Sequence, residues 1–159
     1  MTVMEDVHLV ISSEDDAKAL CRAQCEAFDA EARRLHWSGP RGPEGYDDIE
    51  GQLDLIRRTS FFRIVLAGKT VGGVAIVDSG NKCRLVRIFV DPTHQGMGIG
   101  HVAILQLMER YPNAAIWELD TPSWSLRNHR FYESLGFRKV DETDEGERGF
   151  RLFLYERRN

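Results

Sequence analysis

Cysteine is scarce: of 159 residues only Cys21, Cys25 and Cys83 are thiols, an odd number with no CxxC pair. A disulfide framework is thereby excluded. Cys21 and Cys25 lie four apart, a spacing that could bridge a metal. No nearby His or Cys completes a tetrahedral set, so the expectation is buried, reduced thiols and no metal. Long apolar runs are missing too, and nothing approaches the ~20 residues of a membrane span. The first residues, Met1 to Asp6, lack the basic start and apolar core of a signal peptide, which makes cytoplasm the expected location and a membrane partner unexpected. There is no surplus of basic charge: 21 Lys and Arg stand against 25 Asp and Glu, a net charge of −4. That balance argues against a nucleic-acid partner and suits a cationic one slightly better, without deciding the matter. Internal repeats and low-complexity tracts are absent. With 42% hydrophobic and 29% charged residues, the chain reads as one globular domain over residues 1–159.

What is present is periodic. Val7 to Ile11 is a short apolar run, followed by Ser12-Ser13-Glu14-Asp15-Asp16, an N-cap with an acidic first turn. The helix after it is predicted to bury Cys21, Cys25, Phe28, Ala32 and Leu35 as one stripe. The Gly- and Pro-rich stretch from His36 to Tyr46 is a loop, and its Trp37 and Tyr46 give it rings to grip with. A second amphipathic helix runs from about Asp47 to Arg58, with Ile49, Leu53 and Ile56 on one face. Phe61–Leu66 and Val71–Val77 form a hairpin, and Arg84–Val90 a third strand. Ile99–Tyr111 is a helix with Val102, Leu105 and Met108 in line. Ala114–Asp120 is a strand, and Ser125–Leu135 a helix that Gly136 ends. Phe137–Val140 and Phe150–Tyr155 make a last antiparallel pair around the acidic, solvated segment Asp141–Glu145. The alternation of strand and helix in the middle implies parallel pairing through right-handed crossovers. The hairpins make the sheet mixed, an α/β or α+β fold with helices on both faces.

Chemistry concentrates between Val90 and His101, where a strand ends, glycines recur at 96, 98 and 100, and a helix begins. Glycines let backbone N–H groups approach an anion, and a helix N-terminus adds partial positive charge, so a phosphate or pyrophosphate is the natural guest. A Rossmann fingerprint counted from Gly96 puts His101 where a third glycine or alanine is needed, and too little chain follows for a full dinucleotide-binding domain. Gly68-Lys69-Thr70 ends like a P-loop, but the motif's first glycine would fall on Arg63, so those residues are a hairpin turn. A flexible connection is a poor account of alternating glycines set directly between a strand and a strong helix.

Gln95-x-x-Gly98-x-Gly100, after the strand Leu85–Val90 and Asp91-Pro92, resembles the Q/R-x-x-G-x-G/A motif of the GNAT superfamily of acetyl-CoA-dependent N-acetyltransferases. Asn128-His129-Arg130-Phe131-Tyr132-Glu133-Ser134-Leu135-Gly136-Phe137 resembles the same family's second signature, F-Y-x-x-x-G-F. The resemblance covers nearly the whole chain. It implies a mixed, mostly antiparallel sheet of about seven strands flanked by about four helices, with two central parallel strands splayed around the cofactor. Acetyl-CoA is then the cosubstrate. Its pantetheine arm would pair with the backbone of Ile88, Phe89 and Val90, as an added strand does. Its pyrophosphate would sit on the turn from Gln95 through Gly96, Met97, Gly98, Ile99 and Gly100 to His101.

The same resemblance implies that Tyr132 stabilises the departing thiolate; a core aromatic is the alternative for that ring. A phenol of pKa ~10 giving its proton to a thiolate of pKa ~8.5 is uphill by about 2 kcal/mol, so hydrogen bonding and full proton transfer both stay open. The carboxylate expected about twelve residues ahead of the tyrosine is Asp120, with Glu118 on the same strand face. A water chain, or a plain turn role for Asp120, is the competing reading. Ser125 stands where family members often carry a cofactor-contacting Asn, and Asn128, one turn on, is the substitute. His94, His101 and His129 lie in or near the motifs with no assigned role. Trp37, Tyr46 and Trp124 are expected to meet the acceptor or to cap the core. The partner is then a small-molecule or peptide amine; a homodimer is left open. The expected activity is acetyl transfer to a primary amine, the alternative a non-catalytic CoA-binding sensor or assembly module of the same fold.

Overall fold

A computed structural model describes residues 6–159. The chain runs β1 (Val7–Ile11), a 3-10 turn (Glu14–Asp16), α1 (Ala17–Arg34), α2 (Ile49–Arg58), β2 (Ser60–Leu66), β3 (Lys69–Asp78) and β4 (Lys82–Val90). A second 3-10 turn (Pro92–His94) leads to α3 (Ile99–Arg110), β5 (Ile116–Pro122), α4 (Leu126–Ser134), β6 (Arg138–Glu142) and β7 (Leu152–Arg158). The seven strands form one sheet in the order β1-β2-β3-β4-β5-β7-β6. Among the described residues β4 and β5 are its parallel pair, and the other neighbours are antiparallel. The expected order of elements and the mixed sheet are therefore what the chain adopts.

Helix faces depart from expectation in an informative way. The buried face of α1 is Ala17, Leu20, Cys21, Gln24, Ala27, Glu31 and Ala32, while Cys25, Phe28 and Leu35 are only half-buried. The helix is rotated from the predicted stripe because Gln24 and Glu31 find partners inside, which removes the penalty for burying them. α2 starts at Asp48, whose side chain accepts from the Glu50 amide at 3.2 Å, as an N-cap should. It buries Gln52 and Leu55 and leaves Ile49 exposed. In α3 the buried set is Ile99, Val102, Ala103, Ile104 and Leu107, with Leu105 and Met108 at its margin.

Each sheet face has its own core. α3 and α4 cover one around Ile64, Ile76, Leu85, Trp117 and Leu119. α1 and α2 cover the other around Phe61, Ala75 and Phe89. β3 approaches β4 closely at Gly72, where a Cβ would stand 2.2 Å from the Phe89 carbonyl oxygen, so only glycine fits.

The sheet opens at its centre. β4 and β5 pair only at Lys82–Ile116, Cys83–Trp117 and Arg84–Glu118. Beyond that rung β4 carries a bulge at Val86, since Leu85 and Arg87 oppose the adjacent residues Ile76 and Ala75. β4 continues with β3 as far as Val90, and β5 continues with β7 as far as Pro122. Drawn to different neighbours, the two strands leave a wedge between them.

Candidate active site

One wall of the wedge is main chain. The Asp91 amide donates to Val71 at 2.7 Å, so by strand alternation Phe89 bonds toward β3 while Ile88 and Val90 turn their amide and carbonyl groups to the wedge. The Val90 carbonyl accepts a hydrogen bond from Gln95 Nε2 at 2.8 Å. Gln95 Oε1 in turn accepts from Arg127 at 2.9 Å and Arg34 at 3.2 Å. The glutamine thus ties strand, turn, α1 and α4 together. Gly96 and Gly98 hold φ of +80° and +81°, the left-handed region that glycine enters without penalty. Gly98 caps α3, whose first intrahelical bond runs from the Val102 amide to the Gly98 carbonyl. The amides from Gly98 to His101 are consequently free for an anion. Gly100 is small for another reason: a Cβ there would meet the Phe131 ring at 3.2 Å.

This wall faces a cleft of about 370 Å³. Ile88, Phe89, Val90, Gln95, Gly96 and Gly98 contribute to it, followed by Ile99, Gly100, His101 and Asn128. Met97 sits at the exposed tip of the turn. His94 also lines the cleft, with Thr93 Oγ1 3.0 Å from its Nδ1. His129 is buried instead, its Nε2 2.9 Å from the Pro122 carbonyl and its ring stacked on Phe153. That makes it structural.

The other wall is made of side chains from α1 and α4, with Glu31, Asn128 and Phe131 among them, and Tyr132 packs behind it. Tyr132 is 6% exposed, packed against Phe131, Phe137 and Tyr155 at centroid distances of 5.2, 5.9 and 6.3 Å. Its hydroxyl makes no hydrogen bond to the described residues, and Tyr132 is not among the residues that line the cleft. Burial, then the Glu31 and Asp120 carboxylates, push its ionisation well above the ordinary phenol range, so the hydroxyl keeps its proton. Asp120 is exposed and ion-paired with Arg84. Glu118 pairs with Arg84 and Lys82 at 3.6 and 3.3 Å on the same face. Ser125 does not line the cleft; its buried hydroxyl donates to Glu31 Oε1 at 2.6 Å. Asn128 reaches Thr121 Oγ1 at 3.4 Å.

Glu31, 8% exposed, is a residue the sequence reading missed, with Phe28 and Arg127 beside it in the cleft. A signal existed: Leu20, Gln24, Ala27 and Glu31 follow steps of four, three and four, one helical face. Trp37 and Trp124 are brought together, stacked at 5.1 Å, with Phe150 edge-on to Trp37 at 6.0 Å. Tyr46 is not with them. Its hydroxyl donates to Asp29 at 2.7 Å and its ring lies edge-on to Phe28.

A split parallel pair beside a glycine turn that opens a helix offers an unpaired strand edge and an anion-accepting helix start to one ligand. A family model described as the acetyltransferase (GNAT) family matches residues 19–137, and the chain belongs to that family. It is 33% identical over 102 residues to the N-acetylaspartate synthetase of Danio rerio, covering 62% of this chain and 36% of that one. It spans under half the length of the curated relatives it matches. Among solved structures, the PaiA N-acetyltransferase of Thermoplasma acidophilum in complex with coenzyme A superposes with a TM-score of 0.73 at 18% identity, over 96% of this chain and 99% of that one. A GCN5-related N-acetyltransferase from Rhodopseudomonas palustris gives 0.81 at 14% identity, over 100% and 99%. No helix of the described residues is long and apolar enough to cross a membrane.

Proposed function

We propose that the chain is an acetyl-CoA-dependent N-acetyltransferase acting on a primary amine in the cytoplasm, by direct attack of the amine on the thioester. The observation that carries this reading is the wedge itself: an unpaired β4 edge running into a turn of free amides, with the Glu31 carboxylate in the same cleft. The residues fit the cosubstrate. The backbone of Ile88 and Val90 suits the pantetheine amides. The amides of Gly98 to His101, with Arg34 and Arg127 beside them, suit the pyrophosphate. Acetyl-CoA supplies the activated acetyl group.

This chain's own residues supply the rest. Tyr132, held neutral by burial, donates a hydrogen bond to the departing sulfur. Glu31 is the carboxylate we assign to receive the amine's proton. It lines the cleft, acts on Tyr132 more strongly than Asp120 does, and holds one hydrogen bond, from Ser125. Asp120 is engaged by Arg84 and faces solvent. The buried free thiols Cys21 and Cys83 suit a reducing compartment. The relative named for N-acetylaspartate synthesis favours an amino-acid acceptor.

Two measurements test the reading. Acetyl-CoA and CoA should raise the melting temperature and NAD should not; stabilisation by NAD alone overturns it. A thiol-release screen over primary amines should then find turnover. Stabilisation by CoA with no release from any amine leaves a CoA-binding module instead.

A further inference from the structure

Arg87 sits on β4 at the bulge, one residue before Ile88, where the wedge opens. The two side chains point oppositely. Ile88 packs into the core under α3 and α4, whereas the guanidinium reaches to α1, its Nη1 donating to Gln24 Oε1 at 3.2 Å. Gln24 is fully buried and its Nε2 is committed to the Tyr46 carbonyl at 2.7 Å. Its oxygen must therefore face Arg87, and the amide is a rigid, neutral bracket for a charged group. No described residue neutralises that charge. Arg84, three residues earlier, has Asp120 and Glu118, and Arg63 has Asp16. Arg87 forms no ion pair with a described residue, Asp47 and Asp48 included, although both act on the neighbouring Cys21 thiol. Its Nε is buried without a partner. Its Nη2 donates to no described residue, and the side chain as a whole is half-buried. Withdrawing an unpaired cation from water is costly, and a protein that keeps one on the strand next to the cleft-lining Ile88 gains from a ligand that brings the counter-charge.

We infer that Arg87 receives a carboxylate carried by the acceptor, so that the acceptor is a primary amine bearing a carboxylate, such as a free amino acid, rather than a polyamine or another purely cationic amine. The inference rests on the N-acetyltransferase reading above. The placement fits it: Arg87 joins the strand that would hold the pantetheine arm to the loop of Tyr46. Gln24, which brackets Arg87, and Glu31, which lines the cleft, lie two turns apart on one face of α1.

The test uses the full chain saturated with CoA for melting and with acetyl-CoA for turnover. Each free L-amino acid is compared with its α-amide, and aspartate and glutamate with asparagine and glutamine. At least one free acid should raise the melting temperature where its amide does not, and exceed it in kcat/KM by about 10- to 100-fold, as a site built for a charged group discriminates. Arg87→Gln should bring that ratio near one and abolish the shift. Arg87→Lys, which keeps the charge without the planar fork, should retain part of both. Neither change should unfold the chain, since each keeps a polar group beside Gln24. Amides that serve as well as acids, or an Arg87→Gln variant that keeps the preference, overturns the inference. Turnover of carboxylate-free amines with no shift from any acid overturns it too, and leaves the transferase reading standing. A shift from acids with no thiol release from any amine overturns the transferase reading and the acceptor role with it, and leaves only a carboxylate-binding site.

Discussion

Along β4 and the turn after it, the groups offered to the cleft are amides and carbonyls held by local geometry: a bulge at Val86, glycines at positive φ, a helix start. Across the wedge the groups are side chains, and they come from far apart. Glu31 of α1 meets Ser125, the cap of α4, across 94 residues. The first wall depends on conformation, the second on convergence. Side-chain chemistry should therefore be fragile on the α1 side and main-chain conformation fragile on the β4 side, and swapping the two kinds of perturbation is the way to break the contrast.

The largest effect is expected from Glu31→Gln, which keeps the shape and the Ser125 contact but cannot take a proton. kcat should fall by about 10²- to 10⁴-fold, the span of general-base contributions, with little change in the KM for acetyl-CoA. An unchanged kcat in steady-state thiol release would return the proton to Asp120, Glu118 or water. Tyr132→Phe comes next. Losing one hydrogen bond to a developing charge should cost kcat about 10- to 100-fold, more than it raises the KM for acetyl-CoA; equal turnover would leave Tyr132 a core aromatic. On the other wall, Gly98→Val forces a β-branched residue to φ +81°. A left-handed L-residue costs about 1–2 kcal/mol, read as a lower melting temperature, and the KM for acetyl-CoA should rise with it. A rise in KM without loss of stability would mean that the turn tolerates a side chain and that its amides matter for another reason.

The same contrast explains what was legible in the amino-acid sequence. The glycine turn and the Phe131–Gly136 segment are short-range signals, because positive φ at Gly96 and Gly98 and at Gly136 is a local demand that glycine meets. Element order was legible for the same reason. The faces of α1 and α2 were not. Hydrophobic periodicity treats Gln24, Glu31 and Gln52 as surface residues, and only tertiary partners make it favourable to bury Gln24 and Glu31. Asp120 read as a base or a turn carboxylate, and its ion pair was hidden because only the parallel register, which sets Arg84 across from Glu118, brings Arg84 to Asp120. Trp37, Tyr46 and Trp124 read as one group that meets the acceptor or caps the core; Trp37 and Trp124 do stack, whereas Tyr46 lies with Asp29 and Phe28.

The smallest effect sharpens how the two walls are joined. Only three rungs hold β4 to β5, and the middle one is Cys83 against Trp117. Cys83 is fully buried, and burial, reinforced by the Asp78 carboxylate, pushes its thiol from 9.0 to about 11. In the unfolded chain that proton leaves near pH 9, while the folded chain keeps it until about 11. The contribution is therefore complete below pH 9 and is lost as pH rises through that window. Tyr155, pushed up to about 12 by burial and by its bond to Glu133, extends the loss to higher pH. Melting temperature should fall steadily above pH 9, and Cys83→Ala should flatten the fall between pH 9 and 11 whatever it does to the plateau. If the slope is unchanged, alkaline unfolding begins elsewhere, and the closed end of the wedge is sturdier than a three-rung ladder suggests.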